Sequence, residues 1–169
     1  MATWNNLGYT AKDRNPMYQT GKKLLTVHAQ APIDVSEVAN GDVWVLAQVS
    51  LTSRVHRLVV GKAFACAAAT DNDFGFYRKV NGVLVAIDND ILVDGIDFTS
   101  GSGSGLVAGY DILSANTSLD RTKNVGELLN VSTDDGYAEI YLCMTMNTKE
   151  TTTDLVIDLD VVIEESTTN

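Results

Sequence analysis

Two alternating runs near the C-terminus constrain the fold most. In 137–146, Ala138, Ile140, Leu142, Met144 and Met146 share one parity, against Tyr137, Glu139, Tyr141, Cys143 and Thr145. In 154–164, Leu155, Ile157, Leu159, Val161 and Ile163 alternate with Val156, Asp158, Asp160, Val162 and Glu164. Successive strand side chains point to opposite faces, so a period of two predicts strands with one oily face and one wet face. The intervening stretch 147–153 is polar and of loop length, so the two runs are expected to pair antiparallel. Their oily rows would then form half of a core that a second sheet must cover.

The rest of the chain supports the same class. A first strand is expected over 22–29, interrupted by Ala31-Pro32. Asn40-Gly41 signals a turn before a strand at 42–49, with Val43, Val45, Ala47 and Val49 on one face. The stretch 54–68 reads as a long strand, because its β-branched start disfavours helix; Leu58, Val60, Phe64 and Cys66 share one parity. A turn at 71–73 leads into a strand at 74–77, where Gly75 marks a bulge or a close backbone approach. Asn81-Gly82 is a strong hairpin signal before 83–87. The stretch 88–98 is expected as loop with a short apolar insert, Ile91-Leu92-Val93, and 106–113 as another strand. Between them lies Ser-Gly-Ser-Gly-Ser-Gly at 100–105, a flexible loop too short to separate domains. Asn124 followed by Glu127 is a capping-box pattern for one helical turn. The fold class predicted is an all-β, jelly-roll-like antiparallel β-sandwich of seven or eight strands, with one short helix and an extended N-terminal arm.

Two segments follow: an extended arm at 1–21 and a β-sandwich domain at 22–169. The arm has no strand or helix period, yet it carries Trp4, Leu7, Tyr9, Met17 and Tyr18 with Lys12 and Arg14. Disordered tails are usually poorer in aromatics, and aromatics and Met on irregular chain suit an interface. These seven residues are the candidate partner-binding set.

Net charge is −10 over 169 residues, and it is uneven: up to Gln30 the chain is +3, leaving −13 for the rest. An acidic body repels phosphate backbones, which argues against nucleic acid as partner. No eighteen-residue apolar run exists, so no membrane span is expected, and the first residues lack the layout of a signal peptide.

Chemistry-bearing patterns are sparse. His28 and His56 both fall inside strands and are expected as packed or surface residues. Cys66 and Cys143 are expected as reduced, partly buried thiols; spacing alone cannot decide on a bridge. No nucleophile elbow, zinc-protease helix, phosphate loop or zinc-spaced cysteine pair occurs. No catalytic residue, cofactor or metal ligand is therefore assigned, and no enzyme activity is expected. Asp88, Asp90, Asp94 and Asp97 form the densest acidic stretch, but Leu92 stands where a calcium loop needs its third acid. Solvated turns are the expectation there.

The order of these pieces resembles a known family. A basic arm leads into a strand, and Asn40-Gly41-Asp42-Val43 follows. A strand ends in Ser53-Arg54-Val55-His56, and an alanine-rich segment precedes Asp73-Phe74-Gly75-Phe76-Tyr77. Val125-Gly126-Glu127-Leu128-Leu129 and two amphipathic strands close the chain. Over roughly 22–164 this looks like the capsid decoration (cement, or head-stabilisation) proteins of tailed bacteriophages. The resemblance implies a structural virion protein, usually a homotrimer. It would be assembled in the host cytoplasm and bound outside the head, where it clamps major capsid subunits, with an arm that reaches capsid or neighbouring subunits. The alternative is a jelly-roll carbohydrate- or receptor-binding module of a phage tail or fibre, for which Trp44, Tyr110, Tyr137 and Tyr141 would be exposed stacking platforms.

Overall fold

The computed structural model describes residues 3–5, 18–19, 22–99, 107–132, 137 and 139–166. Nine strands are present among them: β1 (Thr3–Asn5), β2 (Tyr18–Gln19), β3 (Lys22–Ile33), β4 (Asp42–Val49), β5 (Arg54–Val60), β6 (Asn72–Val80), β7 (Val83–Ile96), β8 (Ile140–Met146) and β9 (Leu155–Ser166). A 3-10 turn at Ile112–Ala115 and one helix, α1 (Val125–Leu129), complete the list of regular elements. The strands form a five-stranded sheet, β1-β4-β8-β6-β7, and a four-stranded sheet, β2-β3-β9-β5. All pairings are antiparallel except β1 with β4. The fold is an all-β sandwich, as the alternation predicts.

The core lies between the sheets. β9 contributes Ile157, Leu159, Val161 and Ile163, and β3 contributes Val27, Ala29, Ala31 and Ile33. The facing sheet contributes Trp44, Leu46, Phe74, Phe76, Leu142 and Met144, all at most 1% exposed. Burying one such large side chain contributes about 1.5–3 kcal/mol. Trp44 also keeps its polar atom satisfied by donating from Nε1 to the Pro32 carbonyl, 3.1 Å away.

The C-terminal runs are both strands, but they do not pair. β8 lies between β4 and β6 in one sheet, and β9 between β3 and β5 in the other. The connection therefore crosses the sandwich, and each oily row belongs to a different half of the core. Period two reports which face is oily; it does not report the neighbour. The expected wet face of β8 is also dry. Tyr141, Cys143 and Thr145 are at most 4% exposed. Tyr141 and Cys143 join Val43, Val45, Tyr77 and Leu84 in a second apolar cluster on the outer side of this sheet.

β-Bulges explain several other differences. β4 slips between Val45 and Ala47, so Val43 and Val45 join the outer cluster while Ala47 and Val49 face the main core. A second slip between Val55 and Arg57 turns Val55 and Leu58 to the same buried face of β5. β5 ends at Val60, and the remaining 61–68 of the expected strand carries only an isolated bridge from Cys66 to Thr99. β3 runs on through Pro32, tolerated because β2 flanks β3 only at Lys22 and Lys23 and no ladder bond is asked of the Pro32 nitrogen on that side.

The stretch 88–98 is mostly strand rather than loop, because β7 reaches Ile96. Phe74 pairs with Val93 and Phe76 with Asp88, so 89–92 bulge out opposite the single residue Gly75. A Cβ at position 75 would collide with the backbone of Asp88 and Asn89, which is why glycine stands there. Within the expected strand at 106–113, the described residues 107–113 form a turn and the start of the 3-10 turn, where Asp111 accepts from the Leu113 N–H. The capping box is present as read. Asn124 Oδ1 accepts from Glu127 N–H at 2.8 Å, and Glu127 Oε2 accepts from Asn124 N–H at 2.8 Å.

Candidate functional site

Of the seven arm residues, Trp4 and Tyr18 fall within described strands; Leu7, Tyr9, Lys12, Arg14 and Met17 lie outside the described residues. The arm was expected to be free of strands, yet β1 pairs with β4, Trp4 in register with Trp44, and β2 pairs with β3, Tyr18 in register with Lys23. Strands of three and two residues are too short to show a period. β1 lies at an edge of one sheet and β2 at an edge of the other, both on the side of the sandwich where β3 faces β4.

The acidic stretch does not assemble into one centre. Among the described residues no three His, Cys, Asp or Glu side chains are arranged to hold a metal ion. Asp97 caps its own turn, accepting from the Thr99 N–H and hydroxyl at 2.7 Å each. Asp88 has its pKa raised, first by burial and then by the neighbouring Asp90. The better-built carboxylate is Asp73, which accepts from Gly95 N–H at 2.9 Å, Asn147 Nδ2 at 2.6 Å and Asn89 Nδ2 at 3.1 Å. Burial pushes its pKa up, against the bonds from Gly95 and Asn147, with Asp71 and Asp94 adding to the rise. This network fixes the 89–92 bulge to β6 and to the loop after β8.

Glu150 is a second structural carboxylate that sequence reading missed. It is fully shielded from solvent. Its Oε2 accepts from Ala67 N–H at 2.6 Å and Ala68 N–H at 3.0 Å, and its Oε1 from the Thr152 N–H and hydroxyl at 2.9 and 2.7 Å. Burial opposes ionisation, but the hydrogen bonds from Ala68, Thr152 and Thr151 outweigh it and hold the pKa down to about 2. Polar spacing such as Glu150-Thr151-Thr152 is a weak hint of such a turn, and its distant partners at 67–68 left no signal in the sequence.

Both histidines face acids on the outer side of the four-stranded sheet. His28 Nδ1 lies 2.9 Å from Asp160, and His56 Nε2 lies 2.7 Å from Glu164, which Arg54 also approaches at 3.7 Å. Gln30 donates to Asp158 at 2.7 Å. These pairs follow directly from the register of β3, β9 and β5. Half-exposed pairs of this kind contribute little to stability.

Cys66 and Cys143 are free and buried. Burial, then Glu150, push the Cys66 thiol up to about 12, and burial raises Cys143 as well. Neither has the lowered pKa of a reactive thiol. The aromatic platforms are reduced by half, because Trp44 and Tyr141 are buried. Tyr137 is half-buried and has the Arg78 guanidinium 4.8 Å above its ring. An open depression of about 490 Å³ beside α1 is lined by Leu51, Thr52 and Asn124 among others, and the Asn124 side chain there is already used as the helix cap. No described helix is long and apolar enough to cross a membrane.

Comparison with protein families, curated proteins and solved structures finds no match for this chain.

Proposed function

We propose that this chain is a structural protein of a tailed-phage virion, a decoration or cement protein. In this reading it binds the outer surface of the head as a homotrimer and stabilises contacts between major capsid subunits. The observation that carries the reading is that β1 and β2, both within the aromatic and basic arm at 1–21, each pair with a strand of the sandwich at a sheet edge. A clamp needs a rigid scaffold and a contact element of this kind. Each contact can be weak, because linked copies gain through effective concentration. The acidic body suits the outside of a particle that packs DNA within, and neither nucleic acid nor membrane is assigned as partner. No catalytic step and no cofactor is assigned. The sugar-binding alternative has lost Trp44 and Tyr141 as platforms, and Tyr110 and Tyr137 are all that remain of its support.

The test is binding of the purified protein, and of a form lacking 1–21, to heads of the phage whose genome encodes it. Full-length protein should saturate the heads and the truncated form should bind at least tenfold more weakly while staying folded. Full-length protein that does not bind heads overturns the proposal. A truncated form that unfolds would instead assign the arm to the fold of its own chain.

A further inference from the structure

An asparagine followed by glycine carries a built-in nucleophile. Glycine has no side chain to shield its backbone nitrogen, which reaches the asparagine amide carbon once the intervening bond rotates. The chain has two such pairs, Asn40-Gly41 and Asn81-Gly82, each in a turn with its asparagine exposed. At both glycines an added Cβ would meet nothing within 4 Å, so open space does not distinguish them. Hydrogen bonding does. Gly41 N–H, the group that would have to attack, donates to the Met146 carbonyl at 2.7 Å. Asn40 Oδ1, on the carbon that would be attacked, accepts from the Lys149 N–H at 3.0 Å. The same turn is closed by Asp42 N–H to the Ala39 carbonyl at 3.2 Å and by Ala39 N–H to the Asp42 carboxylate at 2.9 Å.

Asn81-Gly82 has none of these restraints. The pair is the two-residue tip of the β6–β7 hairpin, with φ of 53° and 81°, a type I′ turn. Neither the Asn81 side chain nor the Gly82 N–H has a hydrogen-bond partner among the described residues. Val80 and Val83 pair directly beneath the tip, but they are 39% and 63% exposed, so little apolar burial holds it shut. The left-handed backbone of Asn81 is strained for a residue with a side chain, and rotating out of it relieves that strain.

We infer that Asn81 is a site of spontaneous deamidation in the folded protein, and that its hydrogen bonds protect Asn40. The tip opens, and the Gly82 nitrogen attacks Asn81 Cγ. A bond forms between them as the amide proton passes to a base in solvent. The Cγ–Nδ2 bond then breaks, and the nitrogen takes a proton from water and leaves as ammonia. Water opens the resulting five-membered imide at either carbonyl, giving aspartate or isoaspartate. The net change is water in and ammonia out, with no oxidation or reduction. Either product adds one negative charge at the hairpin tip. Isoaspartate also lengthens the backbone of a two-residue turn by one methylene, which disturbs the Val80–Val83 pairing.

The inference does not rest on the capsid reading, because its test uses the isolated protein. Folded wild type is held in mildly alkaline buffer, sampled over time and digested, and the two Asn-Gly peptides are weighed for conversion of amide to acid. Breaking the two bonds at Asn40 and Gly41 should put Asn40 about tenfold behind Asn81. In denaturant both turns are lost, and the two sites should convert at similar rates. Asn81→Gly keeps a sequence suited to a type I′ turn, so it should abolish the fast acidic shift on ion exchange without changing the far-UV spectrum. An Asn81 that stays intact in the folded protein, or that converts no faster than Asn40, overturns the inference. So does a rate difference of the same size in denaturant, which would trace it to local sequence instead of the fold.

Discussion

Replacing Glu150 by Gln probes the link between the β8–β9 crossover and the alanine-rich segment. The carboxylate receives backbone N–H groups of Ala67 and Ala68 on one oxygen and both donors of Thr152 on the other. Glutamine offers one acceptor oxygen and turns its NH2 towards donors, so one of these sets loses its partner. Hydrogen bonds to a charged group are worth about 1.5–3 kcal/mol, and freed N–H groups at the half-open 67–68 turn to water, which puts the loss near 2 kcal/mol. The pH dependence gives a sharper signature. The folded pKa of about 2 lies below the ordinary 4.5, so the stabilisation by ionised Glu150 is complete above pH 4.5 and fades as pH falls towards 2. Linkage over that gap bounds the effect at about 3 kcal/mol, less because the neighbouring 67–68 turn is open to solvent and screens the carboxylate. Chemical denaturation of both proteins from pH 7 to pH 2 should show a difference of about 2 kcal/mol, or about 4–8 °C in Tm, that shrinks in acid. A difference that stays constant down to pH 2, or one below about 0.5 kcal/mol at pH 7, would refute the assignment of Glu150 as an ionised clasp.

Three further outcomes are expected. Gly75→Ala places a Cβ into the backbone of Asp88 and Asn89, so it should cost about 3 kcal/mol or prevent folding; a melting temperature within 2 °C of wild type (roughly 1 kcal/mol) would show that the bulge yields freely. Asn124→Ala should cost about 1 kcal/mol by thermal melting, because it removes half of a capping box; no shift would mean that packing of Val125 alone holds the helix. Cys66 and Cys143 should resist a thiol-specific reagent at pH 8 in the folded protein and react only after denaturation, given their burial and raised pKa; rapid native labelling would contradict their placement.

Local features were legible in the sequence. The capping box at Asn124 and Glu127, the Asn81-Gly82 turn and the close approach at Gly75 each follow from the chemistry of one or two residues. The inward row of β9 was legible because no bulge breaks its parity. Partnership was not. Nothing in 147–153 tells a hairpin from a crossover, and β8 and β9 lie in different sheets. Bulges at Leu46 and between Val55 and Arg57 flip parity mid-strand, so faces assigned by counting change sides. The acids of 88–97 masked a strand, because their bulge breaks the alternation that marks one. For the arm, Trp4 and Tyr18 stood out by type, but their pairing with β4 and β3 depends on contacts distant in sequence.

The central claim is that the sandwich is a scaffold for contacts outside a phage head. Cryo-electron microscopy of purified heads, with and without added protein, tests it most directly. The account predicts extra density on the outer surface at three-fold and quasi-three-fold positions, fitted by this sandwich with its arm against capsid subunits. Heads that carry no such density at saturating protein would contradict it.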